Sequence, residues 1–240
     1  MAHGSPMISV VIPTLNAQGT LSDTLTALVP AFVDGLIREV IIVDGGSTDR
    51  TLAIADQAGA AVFSATPGRG SQLKAGAARA RFPWLLFLHA DTVLEPGWER
   101  EVCHFMERVD DGRLPNSAAC FRFSLDDTGI APRTIEFGVG LRTALLNLPY
   151  GDQGLLIPRS LYDEAGGYSG LPIMEDVEFV RRLGRRRVTR LRTRAITSAK
   201  RYRRDGYFAR VLRNQRCLAM YLLRASPERI AKVYGRDCAP

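Results

Sequence analysis

Four short apolar runs constrain this chain's fold more than any other feature: ISVVIP at 8–13, EVIIVD at 39–44, AAVFSA at 60–65 and WLLFLHAD at 84–91. They are rich in Val, Ile, Leu and Phe and too short for helices, so each reads as a buried strand. Helical sequence lies between them. Residues 19–33 follow a polar turn, TLAIADQAG is stopped by Gly59, and GRGSQLKAGAARARF at 68–82 enters a helix through glycines. Strands alternating with helices require right-handed crossovers, which predicts an α/β fold with a mainly parallel sheet and helices on both faces.

In such sheets, ligands bind beyond the carboxyl ends of the strands. Here those ends carry Thr14 and Asn16, then Asp44, then His89 and Asp91. Past residue 97 the alternation weakens. Residues 118–125 read as a strand, 131–147 as an amphipathic helix, and GDQGLLIPR at 151–159 as a turn leading into a strand. A glycine-rich loop, GGYSGLP, precedes a helix opened by MED at 174–176; a strand near 187–197 and an amphipathic helix at 206–224 follow.

A chain of 240 residues, 46% of them hydrophobic, can bury a sizeable core in one domain. Its net charge of +7 is local in origin, because residues 181–216 hold fifteen of the 32 basic residues against one acid, Asp205. The rest carries 17 basic and 24 acidic residues, a net of −7. Such a segment faces phosphates, a nucleic acid or an anionic bilayer, or is a solvated face. The four cysteines, Cys103, Cys120, Cys217 and Cys238, form no Cys-x-x-Cys pair, so neither a disulfide framework nor a structural zinc site is expected. No eighteen-residue apolar run is present, and MAHGSPM lacks the apolar core of a signal peptide. The expectation is a cytoplasmic protein, at most peripheral at the inner face of a membrane.

ISVVIPTLN, EVIIVDGGSTDRT, LHAD and IMEDVEF, in this order and spacing, resemble a family 2 glycosyltransferase of the GT-A fold over about residues 8–183. The resemblance implies a Rossmann-like central sheet and inverting transfer of a sugar from a nucleoside diphosphate sugar, usually with Mg²⁺ or Mn²⁺. It also implies a single domain over 7–200, with a nucleotide-sugar-binding half at 7–97 and an acceptor-side half at 98–200. Residues 201–240 are then a basic, helical, amphipathic tail.

By the same resemblance, Asp91 contacts the metal. His89 stands where the family commonly has a second carboxylate, and imidazole suits Mn²⁺ better than Mg²⁺. Pro13, Thr14, Asn16, Asp44 and Ala90 face the nucleotide, with Arg69, Gln72 and Lys74 as further contacts. Ser47 and Asp49 serve the turn before a helix. Asp176 takes the acceptor proton as general base, and Glu175 shapes the acceptor pocket beside it. Asp152 and Gln153 reach toward the acceptor, and Arg201 and Arg203 fold over the diphosphate. The acceptor itself, whether a small molecule, a glycan or a lipid, is not written in these residues.

Two other functions compete. A sugar-phosphate nucleotidylyltransferase shares the architecture, but its first loop carries Arg or Lys, whereas PTLNAQGT has none. A non-catalytic binder of nucleic acid or anionic membrane would use residues 181–216. That stretch is poor in aromatics, with only Tyr202, Tyr207 and Phe208 near its end, so no nucleic-acid partner is expected.

Overall fold

The computed structural model describes residues 7–146 and 148–235. The alternation expected of the first hundred residues is present: β1 (Ile8–Thr14), α1 (Leu21–Thr26), α2 (Val29–Val33), β2 (Ile37–Asp44), α3 (Thr51–Gln57), β3 (Ala61–Ser64), α4 (Arg69–Arg79) and β4 (Trp84–Phe87). The single helix expected at 19–33 is two. Pro30 has no N–H to bond back into α1, and it sits in the first turn of α2, where that group would be unpaired anyway.

β4 is shorter than its apolar run. His89, Ala90 and Asp91 leave the ladder in a tight turn, closed by Thr92 N donating to His89 O (3.2 Å), and β5 (Thr92–Leu94) follows. The second half comprises α5 (Trp98–Asp110), β6 (Ala118–Leu125), α6 (Ile130–Leu146), a 3-10 turn at Gly151–Gln153, β7 (Leu155–Pro158), α7 (Arg159–Glu164), α8 (Glu175–Leu183) and β8 (Val188–Thr197). Three helices end the described chain: α9 (Lys200–Asp205), α10 (Tyr207–Leu222) and α11 (Pro227–Tyr234).

The sheet order is β3-β2-β1-β4-β7-β6-β8-β5. Its first four strands are parallel; β7 then runs against β4 and β6, β8 lies parallel to β6, and β5 runs against β8. The sheet is therefore mixed, with its parallel part in the first half of the sequence. Period-two alternation divides its side chains between two cores. Val11, Ile41, Val43, Leu85 and Phe87 pack under α4, α7 and α8, while Ile8, Val10, Ile12, Ile42 and Leu86 pack under α1, α2 and α5.

Helix α4 comes very close to the sheet. A Cβ on Gly76 would lie 2.3 Å from Val11 Cγ1 and 3.0 Å from Val43 Cγ2, so only glycine permits this contact. The first core also contains Cys217 and Leu218 of α10 and Ile230 and Ala231 of α11. Residues expected to form an appended tail thus contribute to the interior. Among the described residues, Cys103, Cys120 and Cys217 are free thiols, and no helix is long and apolar enough to cross a membrane. Cys238 and residues 1–6 lie outside the described residues.

Candidate functional site

The carboxyl ends of β1 and β2 open one side of a cleft. Asp44, nearly fully buried, accepts hydrogen bonds from Thr14 Oγ1 (2.9 Å), Gly46 N (2.8 Å), Ser47 N (2.7 Å) and Ser47 Oγ (2.5 Å). Burial pushes its carboxyl up, but the donors of Ser47, Thr14 and Gly46 together hold it below its usual range. The expected nucleotide-facing carboxylate therefore spends its oxygens bracing its own loop. Asn16 continues the brace from a left-handed backbone (φ 51°), its Oδ1 accepting from Thr48 N (2.9 Å). Asp49 accepts from Thr51 N at the start of α3 (2.9 Å), the turn chemistry expected of it. Gln72 Nε2 ties the two strand ends together, donating to Thr14 O (2.8 Å) and Val43 O (2.7 Å).

This cleft, of about 610 Å³, is lined by Pro13, Thr14, Asn16, Arg69, Gln72, His89, Ala90, Asp91 and Arg201 among the expected residues, joined by Lys200. Lys74 and Arg203 do not reach it, and helix geometry explains both. On α4, Arg69, Gln72 and Gly76 share a face, whereas Lys74 points to solvent. On α9, Arg203 lies two residues beyond Arg201 and so faces away. Its guanidinium pairs with Asp127 (2.8 Å) and donates to Asp126 O (2.6 Å). Tyr207 and Arg203 hold the Asp127 carboxyl down at about 2.

A second cleft adjoins the first across a wall of five shared residues, Arg69, His89, Asp91, Ser198 and Arg201. Asp176 faces this second cleft from the first turn of α8. Its Oδ2 accepts from Gly151 N (2.7 Å) and its Oδ1 from Val177 N (2.7 Å), which fixes the carboxylate's direction. The residue before the pair, Met174, has a left-handed backbone (φ 62°), a conformation that costs a non-glycine residue about 1–3 kcal/mol. Such strain is concentrated at functional turns. Gly151 brings the His89 ring and Asp176 together: a Cβ there would meet His89 Nε2 at 2.6 Å and Asp176 Oδ2 at 3.4 Å.

Glu175 is fully buried and pairs with Arg69, Nε to Oε1 at 2.9 Å. Burial opposes the Arg69 charge, but Glu175 first, then Asp176 and Asp91, stabilise it. Glu175 thus holds the guanidinium that lines both clefts. Asp152 also faces the second cleft, and its Oδ1 is buried with no hydrogen-bond partner among the described residues. Burial pushes its carboxyl up to about 6; Asp176 and Asp91 add to this, while Arg142 and Arg69 oppose it. Gln153, expected beside it, turns the other way because neighbours on a 3-10 turn diverge by about 120°. It is buried, donating to Phe121 O (3.0 Å) and accepting from Thr143 Oγ1 (3.2 Å), so it supports the turn and does not line the cleft.

The model of glycosyl transferase family 2 matches residues 9–170, about two thirds of the chain. The chain belongs to this family. Among its relatives, the glucosyl-3-phosphoglycerate synthase of Mycobacterium tuberculosis is 35% identical over 101 residues, 38% of this chain and 31% of that one. A PGL/p-HBAD biosynthesis glycosyltransferase of Mycobacterium bovis is 36% identical over 110 residues, 38% of this chain and 37% of its own length. The matched stretch spans only about a third of each of these relatives. Among solved structures, S. aureus TarS residues 1–349 superpose with a TM-score of 0.64 at 17% identity, covering 95% of this chain and 69% of that one. The M. tuberculosis synthase gives 0.51 at 23% identity, covering 80% and 70%. These likenesses establish the GT-A glycosyltransferase fold.

In this family 2 chain, the close approach of the Gly151 backbone to His89 and the pairing of Glu175 with Arg69 were not readable from the motifs. Lys200, Tyr150, Tyr202 and Asn214 line the clefts without having been singled out as contacts. The only signal for Tyr150 was its place immediately before GDQG. Among the described residues, no group of three or more His, Cys, Asp or Glu is arranged to hold a metal.

Proposed function

We propose that this chain transfers a sugar from a nucleoside diphosphate sugar to an acceptor hydroxyl, with inversion at the anomeric carbon. The observation that carries this reading is the shared wall, where Asp91 and His89 stand between one cleft formed at the ends of β1 and β2 and another faced by Asp176. Residues 7–97 form the donor half, closed by Lys200 and Arg201, and residues 98–200 form the acceptor-side half. Structures of the M. tuberculosis synthase hold uridine diphosphate with Mn²⁺ or Mg²⁺, which supports the same donor chemistry here.

The residues present fit a divalent cation. Mg²⁺ is usually held by one or two carboxylates and completed by substrate phosphates and water, so Asp91 suffices as the anionic ligand. His89, pressed into the cradle that Gly151 leaves, would be the second contact. When bound, the cation supplies Lewis-acid stabilisation of charge on the diphosphate oxygens. Arg201, and Arg69 held by Glu175, supply fixed positive charge on the same wall. The acceptor oxygen bonds to the anomeric carbon as the bond from that carbon to the diphosphate breaks. The acceptor's proton passes to Asp176, whose orientation is set by Gly151 N and Val177 N.

Two variants test this reading separately. Asp176→Asn is expected to retain uridine diphosphate binding and to lower transfer by about 10²–10⁴-fold. Asp91→Ala is expected to abolish the metal-dependent thermal shift; ligand at 100 times its Kd adds about 2.7 kcal/mol to the parent protein. The anomeric configuration of the product, read by NMR, tests inversion. Normal transfer by both variants would overturn the assignment.

A further inference from the structure

A third cavity, of about 420 Å³, runs between α6 and α10 and opens into the acceptor-side cleft. Tyr150, Asp152, Tyr202 and Asn214 line both. Away from that junction the groove is mainly apolar, walled by Ile135 and Val139 of α6 and by Phe208 and Val211 of α10, with Thr134 and Gln215 as polar neighbours. At the junction, Asp152 Oδ1 and Asn214 Oδ1 are buried without a hydrogen-bond partner among the described residues. Both are acceptors, so what satisfies them must donate, as a hydroxyl does. Arg142 lies over the Tyr150 ring (3.5 Å), so the aromatic face on this side is already stacked.

Gly138 adds an independent observation. It lies inside α6 on the groove, and a Cβ there would meet nothing within 4 Å. Its backbone is not left-handed, so neither dihedral nor protein packing calls for glycine, a poor helix former. What its missing side chain leaves is room in the groove.

Resting on the reading of the acceptor-side cleft given above, we infer that the acceptor is an amphipathic alcohol. Its hydroxylated head lies at Asp152 and Asn214, and its alkyl or aryl portion lies in the groove between α6 and α10. The head thereby reaches the cleft that Asp176 faces. Continuity between groove and cleft selects this occupant over a second protein, and the paired unsatisfied acceptors select a hydroxylated head over a plain hydrocarbon.

The test is binding of butyl, hexyl and octyl β-D-glucosides below their micelle concentrations, measured by isothermal titration calorimetry on the full chain. Each added methylene is expected to tighten binding by up to about fourfold. Gly138→Phe, which fills open space, is expected to flatten that dependence while leaving uridine diphosphate binding unchanged. Asp152→Leu is expected to weaken all three ligands by a similar factor, about tenfold or more, because it removes the head contact and spares the tail. Phe208→Ser, at a side chain 82% exposed, gives a second tail variant that leaves the core intact. Affinity independent of chain length, or unaltered in both Gly138→Phe and Phe208→Ser, would overturn the inference. So would saturable binding to phosphatidylglycerol vesicles without binding of the monomeric glucosides, since the groove would then be a membrane contact. Loss of the donor reading is detected separately, as absence of uridine diphosphate binding in the parent protein.

Discussion

Asp152 is a carboxyl group in a place that penalises its charge. Its ordinary value is about 3.8 and burial, aided by Asp176 and Asp91, pushes it up to about 6, so the folded chain binds a proton there that the unfolded chain releases. The resulting stability is fully present below the unfolded value and is lost as pH rises from about 4 through about 6. Asp152→Asn is therefore expected to leave the melting temperature at pH 3 unchanged and to raise stability by about 3 kcal/mol near pH 8, read from melting curves across pH. At Gly151 the expected outcome is opposite. Gly151→Ala drives a methyl group into His89, and metal-dependent donor binding should weaken without loss of the fold. Asp91 and Asp176, singled out by their motifs, both lie on the cleft walls, Asp91 on the partition and Asp176 on the second cleft. The orientations of Gln153 and Arg203 were not legible, because their partners lie 32 and 76 positions away in Phe121 and Asp127; the Asp44 carboxylate is turned mainly by Gly46 and Ser47, within three residues of it.

Helix α4 shows how elements position the site. Its first turn is held to the loop before α8, with Gly70 N donating to Leu171 O (3.2 Å). A Cβ on Gly70 would lie 2.3 Å from Ser169 O and 2.5 Å from Leu171 O. Gly70→Ala must separate that loop from α4, which carries Arg69 away from Glu175. A stability loss of about 1–3 kcal/mol and weaker donor binding are expected, measured by urea unfolding and calorimetry. Gly138→Ala should stabilise α6 by roughly 0.5–1 kcal/mol, since the methyl group meets no neighbour. At this scale the sequence was most transparent: short continuous apolar runs marked the strands, and glycine, proline and acids marked the helix ends. It was opaque for β5, only three residues long, and for the break at Pro30, where one apolar pattern runs through two helices.

Across the whole molecule, seven of the fifteen basic residues in 181–216 are paired within the protein itself. Arg182, Arg187, Arg194, Arg203, Arg204, Arg210 and Arg213 each form an ion pair with Glu178, Glu164, Glu95, Asp127 or Asp205. A labelled oligonucleotide is accordingly expected to show no saturable binding at physiological ionic strength, by fluorescence anisotropy. Charge counting located this segment; Asp205 within it and Glu178 one turn before Arg182 are local partners, whereas Glu164, Glu95 and Asp127 are supplied by the fold from other elements. Truncation at residue 206 should strip Cys217, Leu218, Ile230 and Ala231 from the core and cost on the order of 5 kcal/mol, enough to abolish soluble expression. The wall common to the two clefts also has a thermodynamic meaning for the function proposed above. Substrates that share a partition are not independent guests: each settles the same five side chains, so the first to bind prepares or obstructs the second. Linkage requires that effect to be equal in both directions, and a single substitution in the partition should therefore alter the interaction between donor and acceptor more than either affinity alone.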